Sequence, residues 1–345
     1  MLQRRIGKDT SVIMQDNNPT VLLQFLSYKS ALQNCSQNTV LEYELDLILF
    51  FRFIIASRTG KIKELESISI EGVDEEFINS VRPDEVYSYL LYLTNLRGNK
   101  PNSRARRLSA IKAFYKYHTA KSHIVKINPV ADVESPKKPK MLPKFLSLDE
   151  SKKLLAAVDK SSDTYERDYC ILTFFLNCGM RLSELVGINL TDFNDNMTSL
   201  VVTGKGAKQR VIYLNSACRA ALNDYLAVRE QKAHERGRPI ADDSKNALFL
   251  SGRNHRISDK TVQWIVKRHL SLAGLDGKGY STHKLRHTAA TLMYNYGDVD
   301  VMTLKDILGH EQLNTTQIYT HVSNEKLAEA MSSNPLAEVK RKREK

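Results

Sequence analysis

Apolar residues recur at spacings of three and four along much of the first third of the chain, which is the period of a helix with one buried face. Asn38 before Thr39 and Arg82 before Pro83 are suitable helix starts. The segment Arg58–Val81 is less regular, and Ile68–Ile70 is predicted to be a short extended piece. The pattern therefore predicts four helices: Thr20–Gln33, Thr39–Ser57, Pro83–Leu96 and Ser103–Thr119.

The second part of the chain is also helical, with one change of period. Ser147 and Glu150 form a capping-box pattern that opens a helix. Two β-rich runs, Thr198–Thr203 and Gln209–Leu214, flank a turn that contains glycine and predict a hairpin. The predicted fold class is mainly α with a small antiparallel sheet, an α+β second domain, without repeats. The other predicted helices are Tyr165–Cys178, one opening at Arg181–Glu184, Ser216–Glu230, Ser258–Ala273, His283–Tyr296, Asp300–Leu308 and Ser323–Met331.

A cluster of prolines divides these two parts. Four of the nine prolines lie between residues 129 and 143, interleaved with lysines. Proline removes helix donors and favours extended backbone, so the stretch is predicted to be a semi-rigid basic linker between two domains, although a surface loop within one domain is the alternative. The predicted divisions are a polar tail 1–18, a helical domain 19–128, a linker 129–145, a second domain 146–335 and a basic tail 336–345.

The charge balance favours a polyanionic partner. The chain has 51 Lys and Arg against 39 Asp and Glu, a formal net charge of +12. Binding to nucleic acid releases condensed counterions and so rewards positive charge, although many basic proteins bind nothing in particular. Basic runs at the start of the fourth helix and in the linker are candidate DNA contacts, and such runs are otherwise typical of a solvated face. These candidates are Arg104, Arg106, Arg107, Lys137, Lys138 and Lys140.

Cysteine spacing and hydropathy bound the environment. The four cysteines form no C-x-x-C pair and no Cys/His ligand spacing, so neither a disulfide framework nor a metal site is predicted. The N-terminal 18 residues are polar and lack the apolar core of a signal peptide. Leu45–Ala56 is apolar but contains Asp46 and Arg52 and is too short to span a bilayer. A cytoplasmic protein without membrane contact is expected.

Several polar residues of the second domain occupy positions that suit chemistry. His283 and Arg286 lie three apart on a predicted helix and so share a face. Each such residue alone has an ordinary explanation, since most arginines and hairpin-tip lysines are solvated and most tyrosines pack. The candidates are Arg181 at a helix start, Lys205 at the hairpin tip, His283, Arg286, His310 after a helix end, and Tyr319 nine residues beyond it.

Together these residues form motifs of a known family. Thr282-His-Lys-Leu-Arg-His287, Leu308-Gly-His310 and Thr315-Thr-Gln-Ile-Tyr-Thr-His-Val322 closely resemble the C-terminal signature of tyrosine recombinases, in particular the Xer-type and related integrases. Gly179-Met-Arg-Leu-Ser-Glu-Leu185 resembles the family's first arginine motif, and Gly204-Lys-Gly206 resembles its catalytic hairpin. The resemblance covers the whole second domain, and the helical first domain with its linker is similar to the family's core-binding domain.

The resemblance implies covalent catalysis on DNA by Tyr319. Its phenol would attack a backbone phosphate and conserve the bond energy in a 3′-phosphotyrosine, so no ATP, metal or other cofactor is expected. A phenol has a pKa of about 10, so a positive field must assist it near neutral pH. Arg181 and Arg286 would supply that field, bind the non-bridging oxygens bidentately and stabilise the charge that develops there.

The resemblance also implies roles for the remaining residues. Lys205 would protonate the leaving 5′ oxygen, with Lys208 as its rival. His283 would act as acid and base, for which an imidazole is suited, and His310 would donate a hydrogen bond to the phosphate. Glu184 would orient the site, although a surface salt bridge is the alternative. His287 adjoins the motif and is expected to be structural.

Partners and biological role follow from the same resemblance. The expected partner is double-stranded DNA, held in a two-domain clamp, with strand exchange through a Holliday junction in a tetramer. Ser323–Met331 would pack on a neighbouring subunit, and an accessory protein or second recombinase is possible by analogy. The length of Arg58–Val81 and the added N-terminal tail leave a mobile-element integrase open beside Xer-type resolution. The rival hypotheses are a non-catalytic DNA-binding protein and a type IB topoisomerase.

Overall fold

The chain divides into two compact units, separated between Lys140 and Met141. The computed structural model describes residues 18–136, 144–204, 208–297 and 299–309. The prediction of a mainly α fold with a small antiparallel sheet is confirmed, since helices dominate both units and the described strands form one antiparallel pair. Each unit has a hydrophobic core of its own.

In the part of the first unit that the structure describes, residues 18–136, all regular structure is helical. Its α-helices are α1 Thr20–Ala31, α2 Gln37–Thr59, α3 Glu75–Ser80, α4 Pro83–Asn95 and α5 Pro101–Ala120. The hydroxyl of Ser36 accepts a hydrogen bond from the Thr39 amide and caps α2, which therefore begins two residues before the predicted start. A 3₁₀-helix spans Ile62–Ser67. Ile68 after it has the extended backbone predicted for Ile68–Ile70, although no described strand pairs with these residues.

Aromatic side chains fill the core of the first unit. Phe25 of α1, Phe51 of α2 and Phe114 of α5 are fully buried, and Phe114 meets both other rings edge-on at centroid distances of 5.6 and 5.4 Å. The buried ring of His118 joins α5 to α1, since its Nε2 lies 2.9 Å from the Val21 carbonyl oxygen. Burial lowers the pKa of His118 to about 4, so this histidine is neutral at pH 7.

The second unit packs one face of its small sheet into a mainly helical core and leaves the other face exposed. Strands β1 Ser199–Thr203 and β2 Gln209–Tyr213 pair antiparallel, with Leu200 opposite Ile212. Short 3₁₀-helices lie at Leu190–Asp192 and Asp242–Ser244. The α-helices are α6 Leu148–Ala156, α7 Tyr165–Cys178, α8 Leu182–Gly187, α9 Ser216–Glu235, α10 Asp259–Leu272, α11 Thr282–Tyr296 and α12 Val301–Leu308.

Helix α7 is the centre of the second unit. Nearly all of its side chains beyond the first turn are buried, and it packs against α9 on one side and α11 on another. Phe174 and Phe175 contribute its largest buried rings. A helix that is apolar on all sides must be enclosed, so its C-terminal end at Cys178 is held firmly within the unit. The residues directly after that end form the candidate site.

The start of α11 is fixed by side chains from the beginning of the unit. Glu150 completes the predicted capping box with the Ser147 amide at 2.9 Å, and it also accepts hydrogen bonds from Lys278 and Tyr280. Burial and the Glu150 carboxylate raise the pKa of Tyr280 to about 12, so this phenol is a neutral donor. The Leu146 amide donates to the Thr288 hydroxyl at 2.9 Å. These contacts set the position of the helix that carries His283 and Arg286.

Candidate active site

Arg181 and Glu184 form the N-terminal turn of α8. Helix α7 ends at Cys178, and Gly179 directly after it has a φ of 58°, which reverses the chain. The Arg181 amide then donates to Glu184 Oε2 at 2.7 Å, and Arg181 Nη1 donates to Oε1 at 2.7 Å. The same carboxylate therefore caps the helix and holds the arginine side chain.

Three arginines surround the Glu184 carboxylate. Arg210 of β2 lies 2.5 Å from Oε1, and Arg286 of α11 lies 3.9 Å from Oε2, in addition to Arg181. The Glu184 side chain is 0% exposed, and exposure of the arginine side chains rises from 4% at Arg286 to 34% at Arg181. Burial alone would raise the pKa of Glu184, but the bonds from Arg210 and Arg181 outweigh it and lower the pKa below its ordinary value. The carboxylate is ionised.

The same arginines bind the C-terminal end of α12. Arg210 Nε donates to the Ile307 carbonyl at 3.0 Å, Arg286 Nη2 to that of Leu308 at 2.6 Å, and Arg181 Nη2 to that of Gly309 at 2.9 Å. These three consecutive carbonyls would otherwise lack partners at a helix end, and the negative end of the helix dipole favours cations. We name Arg181, Arg210, Arg286 and Glu184 the arginine cluster.

Two glycines make the close packing around the arginine cluster possible. A Cβ at Gly179 would lie 2.9 Å from Leu308 Cδ2, and one at Gly309 would lie 3.0 Å from Arg210 Cδ. Both glycines also have positive φ, which other residues adopt with strain. The Gly179 carbonyl accepts a hydrogen bond from Arg286 Nη1 at 2.8 Å. Helices α7, α11 and α12 therefore meet at the arginine cluster.

His283 lies one turn before Arg286 and contacts a second histidine. His283 Nε2 and His287 Nε2 are 3.0 Å apart with the rings nearly perpendicular. His283 is exposed, whereas His287 is buried. Partial burial lowers the pKa of His283, and the charges of Lys284, Arg286 and Arg181 lower it further. Neutral imidazoles suit this contact, because one ring must donate and the other accept.

The base of the hairpin also reaches the arginine cluster. The Gly204 amide donates to the Lys208 carbonyl at 2.7 Å, and a Cβ at Gly204 would lie 3.3 Å from Glu184 Oε1 and 3.5 Å from Arg181 Nη1. Of the six residues predicted to be catalytic, the structure brings Arg181, His283 and Arg286 together. The other three, Lys205, His310 and Tyr319, lie outside the described residues.

Arg210 is the member of the arginine cluster that the sequence pattern did not single out. Its position carried a signal, because β2 alternates and Arg210 lies two residues before the buried Ile212 on the same face. An arginine on the inward face of a strand requires a buried partner. Glu184 is that partner, which also replaces the surface salt bridge considered for Glu184 with a buried one.

The candidate DNA-contacting arginines of α5 bind partners within the first unit. Arg106 and Arg107 both pair with the buried Asp46, Arg106 also pairs with Glu42, and Arg104 donates to the Thr94 hydroxyl. The Arg106 side chain is 46% exposed and that of Arg107 is 19% exposed. The three linker lysines lie outside the described residues.

The site is suited to binding an anion. The arginine cluster gathers three guanidinium groups around a single carboxylate in a largely buried position, so cationic groups outnumber anionic ones within it. Concentrated buried charge is costly unless it is balanced, and planar guanidinium groups match the oxygens of a phosphate. Within the described residues no group of His, Cys, Asp and Glu has the arrangement of a metal site. Nor does any described helix combine the length and apolarity required to cross a membrane.

Comparison with known families gives two matches that together cover most of the chain. Residues 144–326 match the Phage integrase family, and residues 22–122 match the N-terminal SAM-like domain of phage integrases.

Proteins of similar sequence carry the names of Xer recombinases. The chain is 48% identical over 334 residues to Tyrosine recombinase XerC of Caldanaerobacter subterraneus, covering 96% of this chain and 91% of that protein. It is 32% identical to Tyrosine recombinase XerD of Proteus mirabilis, covering 95% of this chain and 96% of that protein.

A solved structure of similar fold is the XerH site-specific recombinase bound to a palindromic difH substrate in a post-cleavage complex. Its TM-score is 0.64 with 20% identity, covering 91% of this chain and 94% of that one. At that identity the similarity concerns the fold alone.

Proposed function

The chain belongs to the phage integrase family of tyrosine recombinases, and from that premise we propose that it cleaves and rejoins DNA at a specific site through a phosphotyrosine at Tyr319. Xer-type resolution is the role we favour over integration of a mobile element, because the relatives named above are XerC and XerD proteins that match along almost their whole length.

The arginine cluster is the observation that carries this proposal. Three guanidinium groups share the one carboxylate of Glu184, and a DNA phosphate would add negative charge where cations are concentrated. Arg181 and Arg286 would bind the non-bridging oxygens, where charge builds as the phosphate becomes pentacoordinate. Glu184 would orient both arginines without entering the reaction.

Chain connectivity supports the roles of the residues outside the described segments. Gly204 lies beside the Arg181 side chain, and the Gly309 carbonyl accepts a hydrogen bond from it. Lys205 directly follows Gly204 along the chain, and His310 directly follows Gly309. In the proposed reaction Lys205 protonates the leaving 5′ oxygen, and His310 donates a hydrogen bond to the phosphate. His283 accepts the proton of the Tyr319 phenol and returns it during rejoining.

The larger assembly is proposed on the same family basis. The helical unit would be a core-binding domain that closes a clamp on duplex DNA with the catalytic unit, and the linker and both tails would flank these domains. Four protomers would exchange two strands at a time through a Holliday junction, in the cytoplasm, with or without a second recombinase or accessory protein. Arg106 is the best placed of the α5 arginines to contact a phosphate, with Lys137, Lys138 and Lys140 as further contacts, whereas Arg104 and Arg107 serve mainly the packing of α5.

The test is the covalent adduct between Tyr319 and DNA. The full chain is incubated with fragmented genomic DNA of its source organism, and adducts that survive denaturation are isolated and their DNA is sequenced. A nicked duplex carrying the recovered site then traps the adduct in quantity. Wild type is expected to give a 3′ adduct and Tyr319→Phe none, with equal DNA affinity for both proteins.

The outcomes separate the rival functions. A wild-type protein that binds the duplex without any adduct would favour a DNA-binding protein that lacks catalysis. An adduct without strand exchange between two labelled duplexes would favour a topoisomerase. An adduct that persists in Tyr319→Phe would show that another residue is the nucleophile.

A further inference from the structure

Arg210 differs from the other arginines of the arginine cluster in its position and exposure. It comes from a strand rather than from a helix terminus or α11, and its side chain is 13% exposed. Its register partner Val202 is buried beside it on β1. The motifs that resemble those of tyrosine recombinases do not include this residue. Its contacts nevertheless reach both the carboxylate and the helix end on which the site depends.

The two contacts of Arg210 join two elements that carry the proposed chemistry. Nη1 binds Glu184 Oε1, the same oxygen that binds Arg181 Nη1, while Nε binds the Ile307 carbonyl in the last turn of α12. The planar guanidinium group of Arg210 therefore sets the distance between the Glu184 carboxylate and the end of α12. The next two carbonyls at that helix end bind Arg286 and Arg181. The packing is tight, since a Cβ at Gly309 would press against Arg210 Cδ.

We propose that Arg210 is a positioning residue for strand cleavage, which holds Glu184 and the end of α12 in register so that Arg181 and Arg286 present their donors to the scissile phosphate. This inference rests on the proposed function. Arg210 does not touch the phosphate; it acts through Glu184 and through the Ile307 carbonyl. The hairpin that carries Lys205 is also tied to both groups, because Arg210 lies on its second strand.

The choice of lysine as the replacement follows from this geometry. A lysine keeps the positive charge beside Glu184 but has a single nitrogen at the end of a flexible stem, so it cannot span the carboxylate and the carbonyl as a rigid fork does. Arg210→Lys therefore removes the bridge and keeps the charge, and Arg210→Gln removes both. A matched control is Arg229→Lys on α9, since Arg229 is a buried arginine of the same unit that binds the Ala247 and Leu248 carbonyls away from the arginine cluster.

The experiment measures the single-turnover rate of adduct formation on the nicked site duplex at saturating protein, together with DNA affinity and thermal unfolding. Every protein is assayed at a temperature where its own unfolding curve shows it to be folded. Arg210→Lys and Arg210→Gln are expected to lose at least tenfold in rate, with affinity within about threefold of wild type. Arg229→Lys is expected to unfold at lower temperature but to cleave at the wild-type rate.

A double-mutant cycle with Glu184→Gln tests the route through the carboxylate. If Arg210 acts through Glu184, the double variant is expected to cleave about as slowly as the slower single variant, because the second change removes a connection already lost. Wild-type cleavage by Arg210→Lys, equal losses in Arg210→Lys and Arg229→Lys, or strictly multiplicative losses in the cycle would each overturn the inference. A wild type that forms no adduct would instead refute the proposed function.

Discussion

At Glu184, one buried carboxylate organises three guanidinium groups, and this sets the electrostatics of the whole site. Removing its charge would take away the anion that all three arginines share, and buried charge that loses its partner destabilises a fold by several kcal/mol. The ordering of exposure along the cluster also matters. Arg181 is the most exposed of the three, whereas Arg286 is buried and donates to two carbonyls.

The lowered pKa of His283 predicts how cleavage depends on pH. Burial and the neighbouring cations lower this pKa, so the neutral base form persists as pH falls through 6.5 and is lost only below that. Lys284→Gln removes one of those cations and is expected to raise the pKa, which moves the acid limb of the rate profile to higher pH. The pH profile of the cleavage rate is measured with protein and DNA at concentrations that do not saturate binding. Under that condition it reports the pKa of His283 in the free enzyme.

A matched lysine separates this local effect from a general change in charge. Lys267 on the exposed side of α10 is absent from the charges that act on His283, so Lys267→Gln is expected to leave the acid limb where wild type has it. An acid limb in Lys284→Gln at the wild-type position or lower would contradict the prediction. His287, a titratable group in contact with His283, is unchanged in both variants.

The residues that could be predicted from the sequence are those whose neighbours in sequence also define their role. Gly179, Arg181 and Glu184 lie close together along the chain, and His283 and Arg286 share a helix face, so local spacing sufficed. Arg210 required its partner to be known, and that partner lies 26 residues away along the chain. The α5 arginines show the same limit, because only the fold reveals that Asp46 is buried against them.

At the scale of elements, three helix termini meet at the site, beside one face of α11 and the inward face of β2. The C-terminal end of α7, the N-terminal turn of α8 and the C-terminal end of α12 all meet there, and each leaves backbone groups that side chains satisfy. The longer helices were predictable because their periodicity is regular, whereas the six-residue α3 lies in the less regular segment and was not predicted. The convergence of the helix termini was not predictable, since it depends on contacts between residues more than 100 positions apart, as between Arg181 and Gly309.

The contact between α5 and α1 predicts a pH-dependent stability of the first unit. His118 has a pKa of about 4 in the folded chain against an ordinary 6.5, so the unfolded chain binds a proton that the folded chain excludes. Protonation of His118 therefore does not reduce the free energy of unfolding above pH 6.5. As the pH falls from 6.5 to 4, it lowers the free energy of unfolding by up to about 1.4 kcal/mol per pH unit. His118→Gln is expected to be less stable at pH 7, because it loses a buried imidazole and its hydrogen bonds, but to have a flatter pH dependence in that window.

The pH dependence of the stability of the first unit is measured by hydrogen exchange of α1 and α5 peptides in the full chain. The exchange rates are corrected for the intrinsic effect of pH on exchange. His123→Gln is the matched control, since His123 lies in the same unit and is exposed. It is expected to keep the wild-type slope. A wild-type slope in His118→Gln would show that another group is responsible for the pH dependence.

At the scale of the whole molecule, the net charge bears on the affinity for DNA. A formal net charge of +12 predicts that this affinity falls strongly as the salt concentration rises. Proline clustering indicated the division into two units because it interrupts helical periodicity over a long stretch. The sequence pattern does not show which surfaces of the protein contact its partners, because those contacts depend on the three-dimensional shape of the folded chain.

The proposed tetramer gives a prediction about the end of the chain. A chain ending at Val322 lacks the segment 323–331, whose apolar residues Leu327, Ala330 and Met331 would pack on a neighbouring subunit. With Tyr319→Phe in every protein to prevent cleavage, this chain is expected to bind a site-bearing duplex but to form no four-protomer complex in analytical ultracentrifugation. Burying a few apolar side chains at each of four interfaces contributes about 1.5–3 kcal/mol per large side chain, enough to decide assembly at micromolar concentration.

Two further proteins make this result specific to the apolar segment. Leu327→Asp places a charge in the proposed contact and is expected to weaken the tetramer as the truncation does. A chain ending at Pro335 removes only the basic tail and is expected to assemble, with a reduced salt dependence of DNA binding if that tail contacts phosphates. Tetramers formed by the chain ending at Val322 would mean that the protomers associate without residues 323–345, and the proposed contact through Leu327, Ala330 and Met331 would be wrong.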